Sequence, residues 1–192
     1  MDVYTKELCA ALWSDFEAYF DFKGKSSGCW CMNHRLPIGL NFEGEAARLA
    51  MKQLVGSGRV FGVLAYIKDD PIPVGWCSLD RKQTLPGHDC IGEDIACGKD
   101  IWSIHCVTSR ADLRNKGVEE ILCDEALKLA VKLQAKTVEC YPEPESTPGK
   151  EFKTWNVFNG FESHFKKIGF RNITKDFGER EKFFRPMQKN IE

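Results

Sequence analysis

The segment Arg114-Asn115-Lys116-Gly117-Val118-Glu119 constrains this chain most. A strand-like run, Ile101 to Ser109, precedes it. An amphipathic run, Val118 to Lys132, follows, with Val118, Ile121, Leu122, Ala126, Leu129 and Ala130 at helical spacing. A further strand-like run, Thr137 to Tyr141, comes next. Strand, tight turn, helix and strand in that order make a right-handed parallel crossover. The turn is also a device for holding a diphosphate. The first amides of a helix lack intrachain partners, and the helix dipole favours an anion beside them. Arg114 and Lys116 add positive charge, and Gly117 lets backbone come close without a Cβ in the way. The pattern predicts a nucleotide-like cofactor at this turn.

The remaining segments supply the frame. Lys6 to Phe22 reads as a helix, Cys29 to Arg35 as a short strand, and Glu43 to Val55 as a second helix ending at Gly56. Arg59 to Ile67 and Pro73 to Asp80 read as a hairpin turned by Lys68-Asp69-Asp70-Pro71. Arg81 to Asp100 is a long glycine-bearing insert, and loops of that length are usually functional. A Pro- and Glu-rich loop, Pro142 to Lys150, leads to a helix over Phe158 to Ile168, stopped by Gly169. Phe170 to Lys175 and Lys182 to Met187 read as closing strands. This order predicts one α/β domain over 1–192. Its central sheet is mixed, mostly antiparallel with one parallel pair, and helices cover both faces. The cofactor half spans 101–187 and the acceptor-side lead-in spans 1–58.

Composition excludes several classes. A net charge of −1 gives no reason to expect nucleic acid or an acidic membrane surface as a partner. No apolar run approaches a membrane span. Asp2, Lys6, Glu7, Asp15 and Glu17 make the first residues unlike a signal peptide. Nine cysteines, an odd number scattered through helix-like and strand-like runs, favour free thiols in a reducing compartment. A cytoplasmic location is the expectation.

Three patterns, in order and spacing, resemble the GCN5-related N-acetyltransferase (GNAT) superfamily. That family's acetyl-CoA motif, Gln/Arg-x-x-Gly-x-Gly/Ala, is matched by Arg114-x-x-Gly117-x-Glu119, with Trp102 to Leu113 as the cofactor-facing strand and its lead-in. A helix closing on Gly-Phe is matched by Phe165-Lys166-Lys167-Ile168-Gly169-Phe170, and the hairpin run by Val74-Gly75-Trp76-Cys77. The likeness covers Arg59 to Met187. It implies a sheet splayed into a V between the strand ending at Ser109 and the strand Thr137 to Tyr141. Acetyl-CoA would be the co-substrate. Its pantetheine arm would meet Val107, Thr108 and Ser109, and its pyrophosphate would sit beside Arg114 on Asn115, Lys116, Gly117, Val118 and Glu119. Asn159 lies near where some relatives place an asparagine on the cofactor; it also suits a helix N-cap. Two departures stand out. Glu119 replaces Gly or Ala and would repel a diphosphate unless it turns away or is paired. Phe165 replaces a tyrosine that serves many relatives as general acid, and phenylalanine has no proton to give.

Catalytic candidates follow from residue type and position. His105, mid-strand, titrates near neutrality and suits removal of an ammonium proton; the alternative is a hydrogen-bonded structural histidine. Tyr141 is the candidate stand-in for the missing acid, against ordinary packing. Cys29-Trp30-Cys31-x-x-His34 has zinc-compatible spacing. With no fourth ligand evident nearby, though Cys90 or Cys97 would be eligible, it reads as small buried residues near the acceptor cleft, and no metal is expected. Trp30, Met32 and Arg35 are candidate acceptor-pocket residues. His164 reads as a surface residue, and Cys106, Cys123 and Cys140 as structural thiols.

The sequence reading is an acetyl-CoA-dependent N-acetyltransferase acting on a primary amine by direct attack in a ternary complex. Long loops narrow the cleft, which favours a small-molecule amine acceptor. A homodimer is compatible with the family. The alternative is a catalytically degenerate CoA or acyl-CoA sensor, suggested by Glu119 and Phe165.

Overall fold

One mixed sheet organises the chain, with strands β1 (Val3–Glu7), β2 (Phe61–Ile67), β3 (Gly75–Arg81), β4 (Ile101–Ile104), β5 (Val107–Ser109), β6 (Thr137–Cys140), β7 (Arg171–Asn172) and β8 (Met187–Asn190). The structure, a computed structural model, describes residues 1–22, 28–37, 40, 43–86, 100–142, 160, 162–173 and 187–191. The strand order is β1-β2-β3-β4-β6-β8-β7, with β5 paired to β3 beside that path. Among the described strands only β4 and β6 run parallel, joined by the crossover helix α3 (Val118–Lys132). The expected architecture, mostly antiparallel with one parallel pair, is the one observed.

Alternation along the central strands creates two apolar cores. Val63, Ala65, Cys77 and Leu79 face α3, where Val118, Leu122, Cys123, Ala126 and Ala130 are buried, and Phe165 of α4 (Glu162–Lys167) joins them. Leu64, Tyr66 and Trp76 face the other way, against α1 (Trp13–Phe22) and α2 (Gly44–Gly56). Trp76 is fully buried there and meets Phe16 edge-on, ring centroids 5.0 Å apart. Large buried aromatics of this kind contribute roughly 1.5–3 kcal/mol each through apolar burial. Gly62 makes room for this packing, because a Cβ at that position would collide with the Trp76 ring and the Cys77 carbonyl.

Several elements differ from the sequence reading. The first helix begins at Trp13, and Val3–Glu7 is an edge strand paired with β2 from Val3↔Ile67 to Glu7↔Val63. Only Val3 and Thr5 are partly buried on it, so its apolar signal is faint. Cys29 to Arg35 is a turn and a 3-10 segment (Asn33–Arg35) rather than a strand, with Trp30 and Cys31 in left-handed backbone. The run Ile101 to Ser109 is broken into β4 and β5. The last strand is Met187–Asn190, beginning where the expected one ends. Most of the Arg81–Asp100 insert and the Pro142–Lys150 loop lie outside the described residues.

Candidate active site

Strand β3 changes partner along its length. Gly75–Cys77 pair with β5, while Asp80 and Arg81 pair with β4. Between them, His105 and Cys106 leave the ladder, and both their amides reach the Ser78 hydroxyl, at 3.4 and 3.1 Å. The Ser78 amide donates to the Cys106 carbonyl at 2.8 Å, and the Arg110 amide to the Val74 carbonyl at 2.8 Å. Bonding alternates along an antiparallel ladder. Cys106, Thr108 and Arg110 therefore turn their peptide groups to β3, and Val107 and Ser109 turn theirs to the opposite side. No strand among the described residues occupies that side, because β6 pairs with β4 instead. The sheet thus opens into a V with a bare backbone edge at Val107 and Ser109.

The start of α3 continues that edge. Asn115 (φ 57°) and Gly117 (φ 86°) are both left-handed. Gly117 is the N-cap and has no side chain to accept a helix amide. The first ladder bond runs from the Ile121 amide to the Gly117 carbonyl at 3.2 Å, which leaves the Val118, Glu119 and Glu120 amides without intrahelical acceptors. A cavity of about 220 Å³ adjoins this turn, lined by Val107, Arg114, Asn115 and Glu119 and closed by α4 through His164 and Phe165. Glu119 lines it with its carboxylate already engaged, since the Ser109 hydroxyl donates to it.

The chain matches no family model and no curated protein. Its backbone matches many solved structures. Among them are an N-acetyltransferase from Staphylococcus aureus Mu50 (TM-score 0.59, 8% identity, both chains covered in full) and the PaiA N-acetyltransferase of Thermoplasma acidophilum in complex with coenzyme A (TM-score 0.51, 13% identity, both chains covered in full). A GNAT-family acetyltransferase from Streptococcus pneumoniae also matches over the full length of both chains (TM-score 0.54, 12% identity). The fold is that of the GNAT acetyltransferases.

Within this GNAT fold the candidate cofactor residues come together. Val107, Ser109, Arg114, Asn115, Lys116, Gly117, Val118 and Glu119 form one continuous stretch from the bare strand edge to the helix start. Thr108 is directed differently: its hydroxyl and carbonyl meet the buried Tyr19 hydroxyl at 2.8 and 3.0 Å. Asn159 lies outside the described residues. Phe165 is fully buried, edge-on to Phe170 at 5.2 Å, with Gly160 close against its ring. His164 is not the surface residue its sequence position suggested. Its side chain is 14% exposed, its Nδ1 lies 3.4 Å from Glu120 and its Nε2 has no hydrogen-bond partner among the described residues. Cys123 lines the same cavity and is a second titrating neighbour. A hydrogen bond with Cys77 first, and then His164, pull its pKa down to about 7 against the effect of burial.

Beyond the V, polar groups far apart in sequence converge. His105 lies between His34 and Tyr141, with ring centroids at 4.8 and 5.1 Å and nearly parallel planes. Its Nε2 is 2.8 Å from the Ser103 hydroxyl. The Tyr141 hydroxyl donates to Glu139 at 2.7 Å, and burial first, then the Glu139 charge, push its pKa up. Glu139 is itself buried against Lys82 at 2.8 Å. Arg35 grips Asp80 with two bonds of 2.7 and 2.6 Å. Sequence reading brought His105 and Tyr141 forward but missed Ser78, Asp80 and Lys82 as site groups. Buried charged positions on strands were the available signal, since such residues are rarely buried without a partner. Among the described residues no group of three or more His, Cys, Asp or Glu side chains is placed to hold a metal ion, and no helix is long and apolar enough to cross a membrane.

Proposed function

We propose that this chain is an acetyl-CoA-dependent N-acetyltransferase that acetylates the primary amine of a small molecule in the cytoplasm, by direct attack within a ternary complex. One observation carries the reading: the Val107–Ser109 edge, unpaired among the described strands, runs into a helix start whose first three amides lack intrahelical acceptors, with a cavity alongside. An extended amide-bearing chain ending in a diphosphate matches that sequence of donors and acceptors.

The amine nitrogen attacks the thioester carbonyl, the carbonyl oxygen takes charge, and the C–S bond then breaks to release the thiolate. The outward Val107 N–H is the candidate to polarise that oxygen. His105, fixed by Ser103 and flanked by two rings, is the candidate to take the ammonium proton. Tyr141 is the candidate proton donor, its phenol held neutral by burial and Glu139.

A second reading, a CoA or acyl-CoA sensor without turnover, draws on Phe165, which brings no proton to the cavity. Thermal shift with acetyl-CoA, run beside thiol release over amines, polyamines, amino acids and aminoglycosides, separates the two. Stabilisation with thiol release supports the transferase. Stabilisation with no release from any amine selects the sensor. Neither effect overturns both.

A further inference from the structure

Cys31 stands at the centre of a cluster that acetyl transfer leaves unused. Two N–H donors converge on its sulfur, Arg35 Nη1 at 3.2 Å and Trp76 Nε1 at 3.3 Å. Cys106 is buried in the same side-chain cluster as Cys31, and its thiol helps lower the Cys31 pKa. Arg35 also binds the Cys31 carbonyl and holds Asp80 through its other nitrogen. His34 Nε2 lies 2.8 Å from Arg35 Nη1 and 3.5 Å from Asp80. The stacked His105 ring covers His34.

This is an environment for a thiolate. A neutral thiol accepts hydrogen bonds weakly, whereas a thiolate is satisfied by several donors, best of all a guanidinium. The Arg35 guanidinium bonds both the sulfur and the Asp80 carboxylate, which limits the cost of burying the two negative groups together. Burial pushes Cys31 up, but Cys106, Arg35 and His34 outweigh it and bring its pKa well below the thiol range. Burial and Arg35 push His34 down, yet Cys31 and Asp80 leave it above the usual imidazole value. Cys31 is 2% exposed and Cys106 8% exposed, and the His34 side chain beside them is 13% exposed. Such access suits an oxidant hardly larger than water.

We propose that Cys31 is a hydroperoxide-reactive thiolate and Cys106 its resolving thiol, forming a two-cysteine site where the V begins. The Cys31 sulfur attacks one peroxide oxygen and the O–O bond breaks. Sulfur is oxidised by two electrons to a sulfenic acid, and the departing hydroxide takes a proton from solvent and leaves as water. The Cys106 sulfur then attacks the Cys31 sulfur. An S–S bond forms, the S–O bond breaks, and a second water leaves with the Cys106 proton. The proposal stands independently of the acetyltransferase reading, because its readout is the oxidation state of named cysteines.

The test treats the fully reduced protein with equimolar hydrogen peroxide, blocks remaining thiols with an alkylating reagent, and maps the products by mass spectrometry. Cys9, which is exposed, is the internal reference. The expected result is a Cys31–Cys106 cross-linked peptide forming roughly tenfold or more faster than oxidation of Cys9. Cys31→Ser should abolish that cross-link. Cys106→Ser should let a dimedone probe trap sulfenic acid on Cys31. Oxidation of Cys9 before Cys31, or a dominant Cys77–Cys123 cross-link, would overturn the assignment. The wild-type comparison needs no variant, so poor folding of either variant leaves the test intact.

Discussion

The Ser109 hydroxyl donates a hydrogen bond to the Glu119 carboxylate, linking the last residue of β5 to the first turn of α3. Glu119 occupies the position where the GNAT motif that this segment resembles has Gly or Ala, and this bond ties its charge to the strand.

Breaking that link has a stated direction. Ser109→Ala leaves Glu119 without its donor beside the proposed diphosphate, and CoA affinity should fall by about 1 kcal/mol. Glu119→Gln removes the charge and should raise affinity by a similar amount, with the gain shrinking in high salt. Calorimetric titration at two ionic strengths reads both. Equal affinities across the three proteins would place the diphosphate elsewhere.

Gly117 separates backbone from charge. A Cβ there meets nothing within 4 Å, yet φ is +86°, so Gly117→Ala should cost about 1–2 kcal/mol of stability through left-handed strain alone. Gly117→Glu carries the same strain and adds a carboxylate at the anion site. Its CoA affinity should drop at least tenfold below that of the alanine variant, roughly the 1.4 kcal/mol of one unfavourable charge contact in a partly desolvated site. Denaturant melts and calorimetry on the pair decide it, and matching affinities would remove the central argument for the cofactor site.

The contrast between α3 and its neighbours shows what the sequence can carry. The span Val118–Lys132 was legible, because its apolar positions recur at helical spacing and Gly117 marks its start, although Ile121 is only partly buried and Cys123 and Leu127 join the buried face. The break at His105–Cys106 was not, since Ile101 to Ser109 is continuously buried and the agent of the break, the Ser78 hydroxyl, comes from another strand. β1 hid for the opposite reason: as an edge strand it buries little, and Tyr4 gains its contact by stacking on Tyr66 at 5.2 Å. The Cys31 cluster joins Arg35 to Asp80 across 45 positions, a separation no local pattern reports.

His105 offers a kinetic prediction. Its imidazole is the one catalytic candidate with both an orienting hydroxyl and flanking rings. His105→Ala should lower kcat by about 10²–10⁴ with little change in KM for acetyl-CoA, the range typical for loss of a general base. The slope of log kcat against pH below neutrality should flatten as well. An unaltered profile would return His105 to a purely structural part.

Arg35 and Asp80 form a buried pair with side chains 5% and 3% exposed. Arg35→Met strands a buried carboxylate, and Asp80→Asn strands a guanidinium; each should cost about 3–5 kcal/mol. The double variant should recover a good part of that loss, because neither charge is then left alone. A urea-melt double-mutant cycle measures the recovery, and strictly additive losses would contradict the pairing.

His164 supplies the pH prediction. The neighbouring Cys123 raises its pKa above the usual 6.5, burial opposes, and the Glu120 carboxylate adds to the rise. A histidine whose folded pKa is raised contributes stability that is fully present below the unfolded value and is lost as pH climbs through the folded value. His164→Gln should therefore destabilise most below pH 6.5 and progressively less above it. Proton NMR of the ring should show a midpoint above 6.5 in the wild type. Cys123→Ala should move that midpoint down more than Glu120→Gln does, since the thiol is the larger cause. A wild-type midpoint at or below the ordinary imidazole value would mean that Cys123 and Glu120 do not hold the proton on this ring.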